Sequence, residues 1–67
     1  ERVLGPEHPN TATSLNNLAI LCYYEEDFAA AAGYMRRAVA IREKVLGPQH
    51  PSTRKARESL SVIEARL

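Results

Sequence analysis

The sequence predicts an all-α fold, a fragment of an α-solenoid built from antiparallel helix pairs. Two observations lead to this prediction. The chain contains an internal repeat whose period lies in the range of stacked helical units, and apolar residues within each period recur at helical spacing. A chain of 67 residues buries only about 60% of its unfolded surface. We therefore expect a unit that stacks on neighbours rather than one with a large core of its own.

The internal repeat is clearest in two hexapeptides, LGPEHP at residues 4–9 and LGPQHP at residues 46–51. Their starting positions differ by 42 residues, 46 − 4. The same shift aligns ERVLGPEHPNT with EKVLGPQHPST, in which eight of eleven positions are identical. A Gly-Pro pair ends a helix, and a second Pro close to a capping residue precedes the next helix. We interpret LGPxHP as the helix stop, turn and helix start between repeats.

Two helices are predicted within one period. The first runs from about Asn10, its N-cap, to Tyr24, with a packing face of Leu15, Leu18, Ala19 and Cys22. Asp27 caps the second helix, which continues through Leu46 and ends at a left-handed Gly47. Its packing side carries Phe28, Ala31, Met35, Ala38 and Val39.

A third helix is predicted after the second hexapeptide, with Ser52 as its N-cap and a buried stripe of Ala56, Leu60, Ile63 and Leu67. Arg57 and Ser61 replace the packing residues of the first helix, and a polar outer face is expected of a terminal repeat. The predicted organisation is the end of a preceding repeat helix at residues 1–5, one full helix-turn-helix repeat at 6–47 and a C-terminal capping helix at 48–67. That makes about one and a half repeats.

These residues resemble the tetratricopeptide repeat family. The spacing Leu15-x2-Leu18-Ala19-x2-Cys22, followed by Ala31-x3-Met35 and Ala38, is similar to the family's alternation of large and small packing residues. Cys22 and Met35 stand where the family usually has aromatic residues, and the period is 42 rather than about 34. The longer period, with SLNNLA at 14–19 and RRAVAIREKVLG at 36–47, is similar to the kinesin light chain subgroup.

The resemblance implies that a peptide or protein segment is held in a groove lined by the first helices. Helical geometry places Thr13, Asn17, Ile20 and Tyr24 opposite the packing face, and Asn16 and Tyr23 lie on the shoulder of that set. An Asn amide offers both a donor and an acceptor to a peptide backbone, although the two Asn residues could equally support neighbouring helices or face water. Shifting the set by one period reaches Lys55, Ser59, Val62 and Arg66, where the basic residues are either groove charges or a solvated face. The predicted peptide-binding residues are Thr13, Asn16, Asn17, Ile20, Tyr24 and Lys55.

Other classes of function are disfavoured by composition. The formal net charge of +1 gives no broad attraction to nucleic acid or to an anionic membrane. His8 and His50 occupy the same turn position and no ligand cluster accompanies them, so no metal site and no cofactor are predicted. Cys22 has no His near it in the motif, which disfavours a nucleophile and predicts a protein that is not an enzyme. A single cysteine favours a cytoplasmic location.

Two functions remain open at this point. The first is a non-catalytic interaction module whose first-helix groove binds a protein or peptide partner. The alternative is a structural module that self-associates through the exposed edge of the repeat, because such units usually need at least about three repeats for stability.

Overall fold

The structure, a computed structural model, describes the backbone of residues 9–67 and the side chains of residues 11–67. This part of the chain forms three helices, α1 (Pro9–Tyr24), α2 (Phe28–Val45) and α3 (Pro51–Glu64). Helix α2 packs against both α1 and α3. The predicted all-α fold of successive helices is confirmed. The prediction that residues 1–5 end a preceding helix, and the predicted role of His8, lie outside the described residues.

The core between the helices consists mainly of alanine side chains arranged around Met35. Met35 is fully buried in α2, and the small side chains around it allow the helix backbones to approach closely. The predicted packing side of α2 is correct, with Phe28 half-buried at its start. The buried residues of α2 are Ala31, Ala32, Met35, Ala38, Val39 and Ile41.

The packing face of α1 is predicted only in part. Leu15 and Ala19 are buried, and Cys22 is half-buried against the core. Leu18, predicted to share this face, is instead 42% exposed. Leu18 lies about 100° around the helix from Ala19, and α2 covers only the Ala19 side. The apolar periodicity of α1 therefore includes residues from two sides of the helix, and only the Ala19 side packs against α2.

The two ends of α2 have the predicted capping residues. The Asp27 carboxylate accepts a hydrogen bond from the Ala30 backbone N–H at 3.3 Å, so Asp27 is the N-cap. At the other end, the Gly47 N–H donates to the carbonyls of Arg42 and Glu43. Gly47 has φ +93°, a conformation that costs a glycine little and other residues more.

The start of α3 corrects a prediction. The N-cap is His50, whose Nδ1 accepts a hydrogen bond from the Ser52 N–H at 3.1 Å. Ser52, the predicted cap, lies inside the helix. Pro51 is pre-organised for the first helical position, so the cap falls on the residue before it. In the same way, α1 begins at Pro9, and Asn10 lies within the first turn rather than at the predicted cap.

The end of α3 also differs from the prediction. The helix ends at Glu64, with Ala65 as its C-cap. Leu67, predicted on the buried stripe, lies beyond the helix and is 66% exposed. The other three stripe residues behave as expected, since Ala56 and Ile63 are buried and Leu60 packs against the core.

Candidate functional site

A crevice runs between α1 and α3, with α2 as its floor. Its larger hollow has a volume of about 240 Å³ and lies beside the C-terminal halves of α1 and α3. Met35 of α2 forms the floor of this hollow. Two of the helices thus supply opposite walls and the third supplies the base. The wall residues are Ile20, Tyr23 and Tyr24 of α1, and Ser59, Val62 and Ile63 of α3.

A second hollow of about 190 Å³ lies at the other end of α1. Thr13 of α1 and Ser52 of α3 form its two sides. Its α2 surface mixes apolar side chains with one guanidinium, from Ile41, Arg42, Val45 and Leu46. The larger hollow meets α2 near its middle, at Met35, and the second hollow meets α2 at its C-terminal end.

The larger hollow exposes apolar surface on both of its walls. Ile20 is 42% exposed, Val62 is 55% exposed and Tyr24 is 78% exposed. The Tyr23 ring, which is half-buried, makes an edge contact with the Tyr24 ring at a centroid distance of 6.1 Å. A recess with apolar walls over a buried floor can accept an apolar side chain from another molecule.

The predicted site residues fall in three places. Ile20 and Tyr24 line the larger hollow, and Thr13 lines the second. Asn17 is exposed and Asn16 is half-buried, and neither lines either of these two hollows. Their sequence positions put them between the two hollows on α1.

Lys55 does not join the other predicted site residues. It is exposed and lines a separate shallow depression on α3 with Pro51, Arg54 and Glu58. Helical spacing puts Lys55 on the α3 side that carries Ser52 and Ser59. The carboxylate of Glu58 contributes to the same depression, which makes the local charge mixed rather than purely basic.

Five residues that line the larger hollow were not among the predicted peptide-binding residues, although Ser59 and Val62 had been named in the set shifted by one period. Tyr23 had been placed on the shoulder of the α1 face, and the structure moves it into the wall. Met35 and Ile63 were predicted only as packing residues, yet they also border the larger hollow. A periodic pattern shows that a residue faces a neighbouring helix, but not whether that contact lies at the edge of a recess.

Arg66 lies beyond the end of α3 and contacts aromatic rings near the turn between α1 and α2. Its guanidinium carbon is 5.1 Å from the centroid of the Phe28 ring and 6.0 Å from that of Tyr23. The two rings meet edge-on at 5.4 Å. A guanidinium at these distances is attracted to the ring faces. The contact joins the segment after α3 to the Tyr23 wall of the larger hollow.

Two ion pairs fix α3 to α2 and so set the position of one crevice wall. Arg36 contacts Glu64 at 3.1 Å. Arg57 donates through Nε and Nη2 to one carboxylate oxygen of Glu43 and through Nη1 to the Pro48 carbonyl at 3.3 Å. These side chains are partly exposed, so each pair contributes only about 0–1 kcal/mol. Their main effect is on the orientation of α3.

The Cys22 thiol is a weak nucleophile in this environment. Partial burial raises its pKa above the ordinary value of 9.0, and the carboxylates of Asp27 and Glu25 raise that pKa further. The thiolate is the reactive form, so little of it is present at neutral pH. Among the described residues, no three His, Cys, Asp or Glu side chains form a group that could hold a metal ion.

Comparison with known families identifies the repeat. The family model described as tetratricopeptide repeat matches residues 11–52, which is more than half of the chain. The chain therefore belongs to the tetratricopeptide repeat family, whose members generally mediate protein–protein interactions. The matched span is as long as the internal period of 42 residues, which is consistent with the kinesin light chain-like subgroup. No curated protein gives a significant match.

Within residues 9–67, none of the helices has the length and hydrophobicity that crossing a bilayer requires.

Proposed function

We propose that this chain is a non-catalytic protein-interaction module that holds an extended peptide segment of a partner protein in the crevice between α1 and α3. The observation that carries the proposal is the larger hollow, where Ile20 and Val62 face the recess from opposite helices over the buried Met35. An apolar side chain of the partner would enter this hollow. Burial of such a side chain contributes about 1.5–3 kcal/mol.

The length of the crevice matches a short peptide. Thr13 and Tyr24 border its two ends, and eleven residues of α-helix span about 16 Å. An extended chain rises by about 3.3 Å per residue, so about five residues of a ligand would lie between the two hollows. The two hollows would then receive side chains near opposite ends of this segment.

The amides between the hollows give the crevice a means of holding a peptide backbone. Asn17 is exposed, and its side chain provides a donor and an acceptor. Asn16, being half-buried, is the weaker contributor to this role. Lys55, which lies outside both hollows, would contact only a ligand that extends across α3.

The class of partner, the non-catalytic role and the location are proposed from charge and composition rather than from the shape of the crevice. The proposed partners are proteins or peptides, not nucleic acid, because the net charge of +1 supplies little attraction to phosphate. A non-catalytic role agrees with the raised pKa of Cys22. We retain the cytoplasm as the proposed location, since the chain has a single cysteine.

Selection of binders from a random peptide library displayed on phage tests the proposal. Selected peptides are then titrated against the unaltered chain and two variants, Tyr24→Ala and Leu21→Ala. Both residues are exposed on α1, but only Tyr24 lines the hollow. Loss of a well-placed aromatic contact should weaken binding by about tenfold or more, while Leu21→Ala should leave the affinity unchanged. Failure to select any peptide, or equal affinity for Tyr24→Ala, would contradict the proposal.

A further inference from the structure

The two walls of the larger hollow are held by α2 rather than by each other. Helices α1 and α3 both pack on α2 and make little direct contact with one another. The crevice thus has a firm floor, while its width depends on how each wall stands on α2. A side chain that reaches from one wall to the other is able to fix that width.

Arg66 reaches from the α3 wall to the α1 wall. Its backbone N–H donates a hydrogen bond to the carbonyl of Ile63 at 3.0 Å, and Ile63 is a buried residue of the α3 wall. Its guanidinium carbon lies 5.1 Å from the centroid of the Phe28 ring and 6.0 Å from that of the Tyr23 ring. Because Tyr23 belongs to the α1 wall, Arg66 has its main chain fixed to one wall and its side chain placed on the other.

Contacts between aromatic rings carry the position of Arg66 along the α1 wall. Phe28 meets Tyr23 edge-on at 5.4 Å, and Tyr23 meets Tyr24 edge-on at 6.1 Å. Phe28 and Tyr23 are half-buried, whereas Tyr24 is 78% exposed, so the first two rings can orient the third. A cation is attracted to the face of a ring, and this attraction favours the ring orientation seen here.

We propose that Arg66 is a positioning residue that fixes the width of the larger hollow and so determines the size of the side chain that the hollow accepts. The choice of side chain rests on the proposed function of the crevice, whereas the width does not. Without the guanidinium, α3 keeps its ion pairs with α2, but the Tyr23 wall loses its link to the segment after α3. The hollow then opens more easily and admits a larger group.

Attraction to the acidic turn between α1 and α2 is the competing explanation for the position of Arg66. Glu25, Glu26 and Asp27 directly precede Phe28 and are exposed, and exposed charge pairs contribute little. The geometry favours the rings, since the guanidinium lies within the cation–π range of about 6 Å from two ring centroids. Replacing a carboxylate and replacing a ring therefore separate the two explanations.

Pulsed EPR of the full chain measures the separation of the walls without a ligand. Cys22→Ala removes the native thiol. Leu21→Cys and Ser61→Cys then carry one spin label on each wall helix, at exposed positions outside both hollows. Arg66→Gln should broaden the distribution of distances between the labels, because the link between the walls is lost. Arg66→Lys keeps a cation and should retain most of the narrow distribution.

Three further variants identify the cause of any broadening. Phe28→Leu removes a ring but keeps an apolar side chain, and it should broaden the distribution as Arg66→Gln does. Arg54→Gln makes the same charge change at an exposed α3 position in a separate depression, and Glu25→Gln removes a carboxylate of the turn. Both should leave the distribution unchanged, with circular dichroism confirming that every variant is folded. An unchanged distribution in Arg66→Gln, or equal broadening by Arg54→Gln or Glu25→Gln, would overturn the proposal.

A pair of peptides tests the consequence for selection. Both derive from one peptide selected by phage display, and they differ only in the side chain that enters the larger hollow, valine in one and phenylalanine in the other. Arg66→Gln should shift the ratio of their dissociation constants in favour of the phenylalanine peptide by about two- to fivefold, the factor that an exposed cation–π contact provides. A general loss of stability would instead weaken both peptides equally.

The two measurements separate this proposal from the proposed function. An unchanged ratio of dissociation constants would overturn the claim that Arg66 determines side-chain size, while binding of either peptide would still support the crevice as the binding site. If neither peptide bound the unaltered chain, the proposed function would fail, and the EPR distances would still decide whether Arg66 fixes the width of the hollow.

Discussion

The backbone N–H of Ser52 donates a hydrogen bond to Nδ1 of His50 at 3.1 Å, which makes His50 the N-cap of α3. Histidine is not among the residues most often found at this position. Here the ring nitrogen takes the place of the usual side-chain oxygen and satisfies a helix N–H that would otherwise lack a partner. This hydrogen bond gives the histidine of LGPQHP a structural role in the turn.

Replacement of His50 should therefore destabilise the fold according to capping ability. His50→Ala should lower the free energy of unfolding by about 0.5–2 kcal/mol, whereas His50→Asn should retain most of the stability because Asn is a strong N-cap. Urea denaturation followed by circular dichroism measures both. Gln49→Ala, at an exposed neighbouring position, serves as the control. Equal losses for the Ala and Asn variants would show that the capping bond contributes nothing.

Leu15 and Leu18 should respond very differently to truncation. Leu15 is 3% exposed and Leu18 is 42% exposed. Leu15→Ala should cost about 2–5 kcal/mol, as core truncations do, and Leu18→Ala should cost less, about 1–2 kcal/mol, because a large part of Leu18 stays in water. The comparison of the two unfolding curves measures this difference. A larger loss for Leu18→Ala would mean that the Leu18 side of α1 is covered in the unmodified chain.

Thr53 carries a buried hydroxyl without a hydrogen-bond partner among the described residues. Its side chain is fully buried, and leaving a polar group unsatisfied costs about 1–3 kcal/mol. Thr53→Val, which keeps the shape and removes the hydroxyl, should raise the unfolding midpoint. Thr53→Ala removes a methyl group as well, so it should gain less or lose stability. A lower midpoint for Thr53→Val would indicate that the hydroxyl is satisfied.

The raised pKa of Cys22 predicts slow alkylation at neutral pH. The rate with iodoacetamide should follow the thiolate fraction and reach its half-maximum above pH 9.0, the ordinary thiol value. Asp27→Asn preserves a capping side chain while removing one of the charges that raise this pKa, so it should shift the profile to lower pH. A half-maximum below pH 9.0 in the unaltered folded chain would contradict this account of the thiol environment.

Local sequence signals predicted the helix order and the caps of α2 well. Asp27 and Gly47 act through bonds to nearby backbone groups, so their roles are visible in the sequence. The cap of α3 was misplaced because Ser52 is a common capping type, whereas the histidine before Pro51 is not. Leu18 was misassigned because two adjacent faces of α1 are apolar, and only the packing of α2 distinguishes them.

The candidate site was predictable on α1 and less so elsewhere. Ile20 and Tyr24 follow from helical geometry, since they lie opposite the packing face. The inclusion of Met35 depends on the distance between α1 and α3, which no periodicity specifies. The position of Arg66 depends on where α3 ends, and the sequence pattern had continued that helix to Leu67.

The most direct test of the central claim is methyl NMR of the labelled chain during titration with a peptide selected from the display library. If the peptide lies in the crevice, the methyl resonances of Ile20 and Val62 should shift together, because the two side chains line the same hollow from opposite helices. The methyl resonances of Leu18 and Leu21, which are exposed on α1 outside both hollows, should stay in place. Shifts confined to Leu18 and Leu21 would contradict the claim that the crevice is the peptide-binding site.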